Sequence, residues 1–330
     1  MPSRKSPPQP RGSAPTRPDQ GATSALAKQR FGAHVSTAGG LDNAFHTGAR
    51  LGCDCVQIFV KNQKQWSANP LTTETISSFK RARRQTQIQP VVAHAGYLIN
   101  LGSPAGEPWS KSISAVVDEL QRCAALDISW LVLHPGAHMG EGIEAGITRV
   151  ARALDKVHLR TAGIKPKILL ETTAGQGTSV GCEIEHLGRI LRQIRDPDRV
   201  AVCLDTCHLF VAGYDLSDEG EYERTIDLLR REVTIGRIKC VHMNDAKGVC
   251  GSRLDRHEHI GKGQLGLSAF RRVVTDRRLA RAAKILETPK GTDGRGADYD
   301  RVNLRRLRKL ACPPKASTAR KAPRNRRSSG

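Results

Sequence analysis

Residues 166–208 read PKILLETTAGQGTSVGCEIEHLGRILRQIRDPDRVAVCLDTCH, and their pattern decides the fold. An apolar run, KILLE, ends in Glu171; apolar residues at helical spacing follow near 183–195; a second run, RVAVCL, ends in Asp205. Short continuous apolar runs bounded by turn formers read as fully buried parallel strands. The stretch is therefore one strand–helix–strand repeat of a parallel α/β fold.

The same unit recurs in both directions. FGAHVS (31–36), CVQIFVK (55–61), VVAHAG (91–96) and LVLHPG (131–136) precede it, and IKCVHMND (238–245) and AKILETP (283–289) follow. Between them lie LDNAFHTGARLG (41–52), TTETISSFKRARRQT (72–86, opening on a Thr cap signal) and SISAVVDELQRCAALD (112–127). Further helices are predicted across 143–162, near 221–233 and 267–275, and at VNLRRLRKL (302–310). Eight strand–helix pairs in strict alternation predict a closed (β/α)8, or TIM, barrel over residues 31–312. No GxGxxG follows the first strand, which removes support for a dinucleotide fold.

The two ends read as disordered basic tails, 1–30 and 313–330, rich in Pro and Ser. They carry +5 and +6 of the formal net charge of +21, so the barrel keeps +10. A surface this basic favours a polyanion through counterion release. No apolar stretch approaches the ~18 residues of a membrane span, so no membrane partner is expected. The start has no apolar core of a secretory signal, although its Arg content and scarcity of acids are compatible with organellar targeting. The nine cysteines form no CxxC pair and read as reduced, mostly buried thiols of a cytoplasmic protein.

The chemistry is carried by polar residues where strands leave the core. His94, His134, Glu171, Asp205, His242 and Glu287 end the third to eighth strands in order. His208 follows Asp205 by three residues, and Asp255 and His257 flank a single Arg, so both face one way in an extended loop. On a barrel all of these gather at the C-terminal mouth. Nitrogen and oxygen donors at three or four per ion, with one carboxylate bridging, suffice for about three ions. The absence of Cys among them suits zinc or manganese. Four carboxylates without cations would repel one another and a phosphate alike, whereas about three divalent ions leave a site attractive to a phosphodiester. His34, His46, His138, His158, His186 and His259 take ordinary structural readings, with His34 and His138, near the mouth, the two most open to argument.

PLTTETISSF (70–79), YLINLG (97–102), HPGAH (134–138), ETTAGQG (171–177), CLDTCHLFVAGYD (203–215), HMNDAKG (242–248), GSRLDRHEHIGKG (251–263) and ILETP (285–289) together resemble the endonuclease IV family of apurinic/apyrimidinic endonucleases. The likeness runs from about Gly32 to Glu287. It implies a TIM barrel with three zinc ions per chain, manganese being an option at one of them, acting as a monomer on double-stranded DNA with abasic sites or blocked 3′ ends. Carried over, His94, His134 and Glu171 resemble the ligands of the first ion. Glu171, shared, joins Asp205, His242 and Glu287 at the second, and His208, Asp255 and His257 resemble the third set. Glu171 is then the catalytic carboxylate. The implied reaction cuts 5′ to the abasic sugar in base excision repair, leaving a 3′-hydroxyl and a 5′-deoxyribose phosphate, in the cytoplasm and at the nucleoid.

The segments KNQKQW (61–66) and GYLINLG (96–102) match the family's DNA loops, which makes Lys64, Tyr97 and Leu98 the candidate DNA contacts, with the last two filling the gap in the stack. Lys64 stands where the family has Arg, and Ala95 and Gly96 replace polar residues. Lys247, Arg253 and Arg256 are further candidates for phosphate contacts. The tails have no counterpart in these motifs and are read as adding non-specific DNA affinity. Their removal should therefore flatten the salt dependence of binding; an unchanged slope in a protein of residues 31–312 would dismiss that role.

Two other functions compete. A sugar isomerase or epimerase uses the same barrel and metal-binding strand ends, but needs one or two ions and leaves His208, Asp255 and His257 without a task. A non-catalytic basic DNA-binding protein would have no reason to keep the whole donor set.

Overall fold

The computed structural model describes residues 29–312. Eight parallel strands close into a barrel: β1 (Phe31–His34), β2 (Cys55–Phe59), β3 (Val91–His94), β4 (Trp130–Leu133), β5 (Lys167–Glu171), β6 (Val200–Asp205), β7 (Ile238–His242) and β10 (Ala283–Leu286). Each pairs with its neighbours in sequence, and β1 closes the ring against β10. The helices are α1 (Asn43–Leu51), α2 (Thr73–Thr86), α3 (Glu107–Ala125), α4 (Ile143–Arg160), α5 (Ile184–Gln193), α6 (Thr206–Ala212), α7 (Glu219–Glu232), α8 (Gly266–Thr275) and α9 (Tyr299–Ala311). The strict alternation expected from the sequence is present, with two additions. α6 follows β6 directly, ahead of the crossover helix α7, and a short antiparallel ladder joins β8 (Asp245–Ala246) to β9 (His257–Glu258).

Period two along each strand separates two apolar populations. Ala33, Val56, Ile58, Ala93, Leu131, Leu133, Ile168 and Leu170 face outward into the large core shared with the helices. Cys55, Val92, Val132, Leu169, Cys203, Cys240 and Ile285 fill the barrel itself. Three of the nine thiols are thus small apolar filling, as free Cys often is.

Local signals fix the helix starts. Thr72 accepts a hydrogen bond from Thr75 N at 3.1 Å, and Asp218 accepts one from Glu221 N at 2.9 Å, each satisfying an amide that the first turn leaves unpaired. The ladder also reaches further back than the expected tail boundary, since Arg30 O accepts from Lys284 N at 3.0 Å. Of the tails read at 1–30 and 313–330, residues 1–28 and 313–330 lie outside the described residues. No helix of the described residues is long and apolar enough to cross a membrane.

Closure is tightest at Gly32, which pairs with Cys55. A Cβ at Gly32 would stand 1.8 Å from the Cys55 carbonyl oxygen, so any side chain must push the first two strands apart. Gly32→Ala is expected to cost about 3 kcal/mol, the upper end of ordinary overpacking. A urea midpoint equal to that of the parent protein would contradict this.

Candidate metal centre

The strand parity that packs the barrel also aims its mouth. His94, Glu171, Asp205 and His242 are the last residues of β3, β5, β6 and β7, each two positions beyond an interior Val92, Leu169, Cys203 or Cys240. His134 and Glu287 lie one residue past β4 and β10, again two beyond interior Val132 and Ile285. A slip of one residue would turn any of them outward. His208 arrives differently: Asp205 caps α6 by accepting from His208 N at 3.0 Å, which places the imidazole in the first turn beside the carboxylate. The ladder of β8 and β9 brings in His257, with Asp255 just before it.

The donor atoms converge in linked sets. His94 Nε2 and His134 Nε2 lie 3.3 and 3.0 Å from Glu171 Oε2. The other oxygen, Oε1, lies 2.7 Å from His242 Nδ1, which is 3.2 Å from Glu287 Oε2 and 3.7 Å from Asp205 Oδ2. His208 Nε2 stands 3.2 Å from Asp255 Oδ1, and His257 Nε2 is 3.6 Å from both Asp255 Oδ1 and Asp205 Oδ2. Of the groups whose donors lie within 4.8 Å of one another, three contain no cysteine: His94, His134 and Glu171; Glu171, Asp205, His242 and Glu287; and His208, Asp255 and His257. Glu171 spans the first two, and Asp205 lies between the second and third.

Cations fit this arrangement on hydrogen-bonding grounds. His94 Nδ1 lies 2.8 Å from Ala95 O, His208 Nδ1 2.8 Å from Thr172 O, and His257 Nδ1 3.2 Å from Glu287 O. Carbonyl oxygens only accept, so each of these nitrogens carries the hydrogen, and in a neutral ring Nε2 turns a bare lone pair toward carboxylates. His257 Nε2 is accordingly buried without a hydrogen-bond partner. Lone pairs facing anions need a proton or a metal ion between them.

The titration behaviour agrees. Burial disfavours charge on His94, yet the hydrogen bond and charge of Glu171 raise its pKa overall. Burial likewise opposes protonation of His208, but the Asp205 charge and the Asp255 hydrogen bond outweigh it and lift the pKa to about 10. His242 is raised by Glu287 and Glu171 against the same burial penalty. Burial would raise Glu171 and Glu287, but both are held well below the usual carboxylate range, chiefly by His242. Without metal, protons on the imidazoles balance the carboxylates.

Several residues around the donors were not among the site residues expected from the sequence. Asn244 donates to Asp205 Oδ2 at 2.7 Å and accepts from Glu287 N at 2.8 Å, tying the Asp205 carboxylate and the Glu287 backbone to one amide. Thr172 Oγ1 accepts from Asp205 N at 2.9 Å. His34, placed near the mouth by the sequence but not counted among the ligands, has Nδ1 3.1 Å from Glu287 Oε1. Gln57, fully buried, contacts both Glu287 and His242. Its one visible mark was a polar residue interrupting the apolar run of β2. Cys207 is kept protonated by burial, and its Sγ lies 3.8 Å from Arg256 O, as suits a thiol donor.

A cavity of about 1000 Å³ opens over the donors, lined among others by His134, His208, His257, Lys64 and Tyr97. Tyr97 is 69% exposed and Leu98 41%, so both side chains stand open to solvent beside the cavity. The Tyr97 ring leans edge-on against Phe59 at 5.5 Å, and Tyr97 N donates to Gln63 O at 3.2 Å, joining its loop to the one that carries Lys64. Lys247, Arg253 and Arg256 are exposed in the segment around β8 and β9.

Residues 45–310 match the family model described as a xylose isomerase-like TIM barrel. The chain is 50% identical over 281 residues to the probable endonuclease 4 of Chloroflexus aurantiacus, covering 85% of this chain and 98% of that protein. The probable endonuclease 4 of Geobacter sulfurreducens is 43% identical over 280 residues, with 85% and 94% covered. Among solved structures, endonuclease IV from Thermus thermophilus superposes with a TM-score of 0.74 at 36% identity, over 85% of this chain and 98% of that one.

Proposed function

Because this chain belongs to the endonuclease IV family, we propose that it is a metal-dependent AP endonuclease that hydrolyses the phosphodiester 5′ to abasic sites in duplex DNA. The products are a 3′-hydroxyl and a 5′-deoxyribose phosphate, and blocked 3′ ends are trimmed at the same centre. The observation that carries this reading is the run of three donor sets linked through Glu171 and Asp205. A barrel isomerase, needing one or two ions, gives no role to the set of His208, Asp255 and His257.

In this reading His94, His134 and Glu171 hold one zinc ion, Glu171, Asp205, His242 and Glu287 a second, and His208, Asp255 and His257 a third. When bound, zinc supplies Lewis acidity, acidifying water and offsetting charge on phosphodiester oxygens. The protein supplies geometry. Glu171 keeps its two oxygens in separate sets, and Asn244 holds Asp205 and the Glu287 backbone in fixed relation. Carbonyls behind the imidazoles keep the bare nitrogens inward.

Lys64 meets the sugar–phosphate chain at the cavity rim, and Tyr97 with Leu98 occupies the space left in the base stack. Losing both rim side chains, as Tyr97→Ala with Leu98→Ala, should weaken abasic-duplex binding roughly tenfold, the scale of one lost stacking contact. Zinc content should stay the same. Equal affinity by fluorescence anisotropy would remove the pair from the interface.

The deciding experiment is cleavage of a duplex bearing one tetrahydrofuran site, with and without chelator, followed by end-group analysis and metal counting. A chelator-sensitive cut 5′ to the lesion with about three ions per chain supports the proposal. One or two ions with no cut would favour the isomerase.

A further inference from the structure

Gln57 points from β2 into the barrel, fully buried, and its amide meets three polar groups. Nε2 lies 2.6 Å from Glu287 Oε1 and 3.0 Å from His34 Nδ1, and Oε1 lies 2.8 Å from His242 Nε2. The partners settle which end of the amide is which. A carboxylate placed to ligate a cation offers only acceptors, so the group facing Glu287 at 2.6 Å is the NH2. The opposite end is then the carbonyl, which also only accepts, so His242 Nε2 must carry a hydrogen. The nitrogen left for coordination is Nδ1, and it is the one aimed at Glu171 Oε1 and Glu287 Oε2.

We propose that Gln57 is a positioning residue that locks His242 as the Nε2–H tautomer and thereby presents Nδ1 to the metal. His94, His208 and His257 have the same need met by backbone carbonyls of Ala95, Thr172 and Glu287. His242 has a side chain in that place, so this is the imidazole whose orientation a substitution can release. Because the amide also holds Glu287, one residue sets two ligands of the second set. The inference rests on the metal-centre reading above.

The test compares zinc affinity in metal-free protein reloaded against a chromophoric chelator, for Gln57→Met and Gln57→Glu. Met is close in shape but offers His242 no acceptor, and one ion should bind about 10–100-fold more weakly, the usual cost of losing such a partner. Glu keeps an acceptor toward Nε2 and, sharing one proton with Glu287 as carboxylates this close must, also keeps a donor toward Oε1, so Gln57→Glu should bind more tightly than Gln57→Met. A pure packing role demands the reverse order, because Met suits a buried site better than a carboxylate. Nitrogen-15 NMR of the zinc-loaded parent protein adds a reading that needs no variant: the His242 hydrogen should sit on Nε2. Parent-like affinity in Gln57→Met, the reversed order, or a hydrogen on Nδ1 would each overturn the proposal. Failure of the parent protein itself to bind zinc would instead overturn the metal centre, and this role with it.

Discussion

Glu171→Gln should lower single-turnover cleavage of an abasic duplex by about 10³-fold or more while leaving duplex binding within a few-fold of the parent protein. The carboxylate is fully buried and uses both oxygens, Oε2 toward His94 and His134 and Oε1 toward His242. It remains ionised through the working pH range because the surrounding imidazoles, His242 foremost, overcome the cost of burying it. Glutamine replaces one acceptor by a donor and removes the charge, so one of the two sets must lose its ligand whichever way the amide turns. Binding is spared because the candidate rim contacts, Lys64, Tyr97 and Leu98, belong to other loops. A variant that cuts at more than a tenth of the parent rate would sink the assignment.

Removing the metal should abolish cleavage and change how stability depends on pH. In the metal-free protein His208 has its pKa raised to about 10, and His94 and His242 are raised as well. A histidine whose folded pKa exceeds its unfolded value near 6.5 contributes stability that is complete below about pH 6.5. That contribution is lost as pH climbs toward about 10. The chelated protein should therefore melt progressively earlier than the loaded protein between neutral and alkaline pH. A widening gap of about 5 °C or more is expected, since each kcal/mol is worth about 2–4 °C at this size. Lys284 acts with the opposite sign: burial lowers its pKa to about 8, so stability rises as pH passes from there toward its ordinary value near 10.5. It lies at the other end of β10 from Glu287 and is common to both forms, so it cancels in the difference. Parallel melting curves across that range would show that protons do not stand in for the metal.

Some of the centre was legible from spacing and some was not. His94, Glu171 and His242 each follow an apolar run short enough to be one buried strand, so their place at the mouth could be read directly. His208 was legible only as a residue close behind Asp205; that Asp205 caps α6 and so swings the ring inward depends on a short helix that a seven-residue segment does not announce. Asp255 and His257 could be paired with each other by alternation, but the approach of His257 to Asp205 needs the ladder of β8 and β9, whose two-residue strands have no hydrophobic period. Gln57 and Asn244 were not legible as site residues at all. An isolated amide, in a strand like Gln57 or just past one like Asn244, looks the same whether it faces solvent, packing or a ligand.

The sequence alone determined the barrel, its repeat and the rim from which polar residues project, because burial imposes period two on strands and 3.6 on helices, and both are written in local order. Only the tertiary structure decided which oxygen of Glu171 meets which imidazole, and that Gln57 reaches His242 across a separation of 185 residues. Hydrogen-bond direction and donor distance are set by closure of the ring, which brings together atoms that no stretch of chain relates.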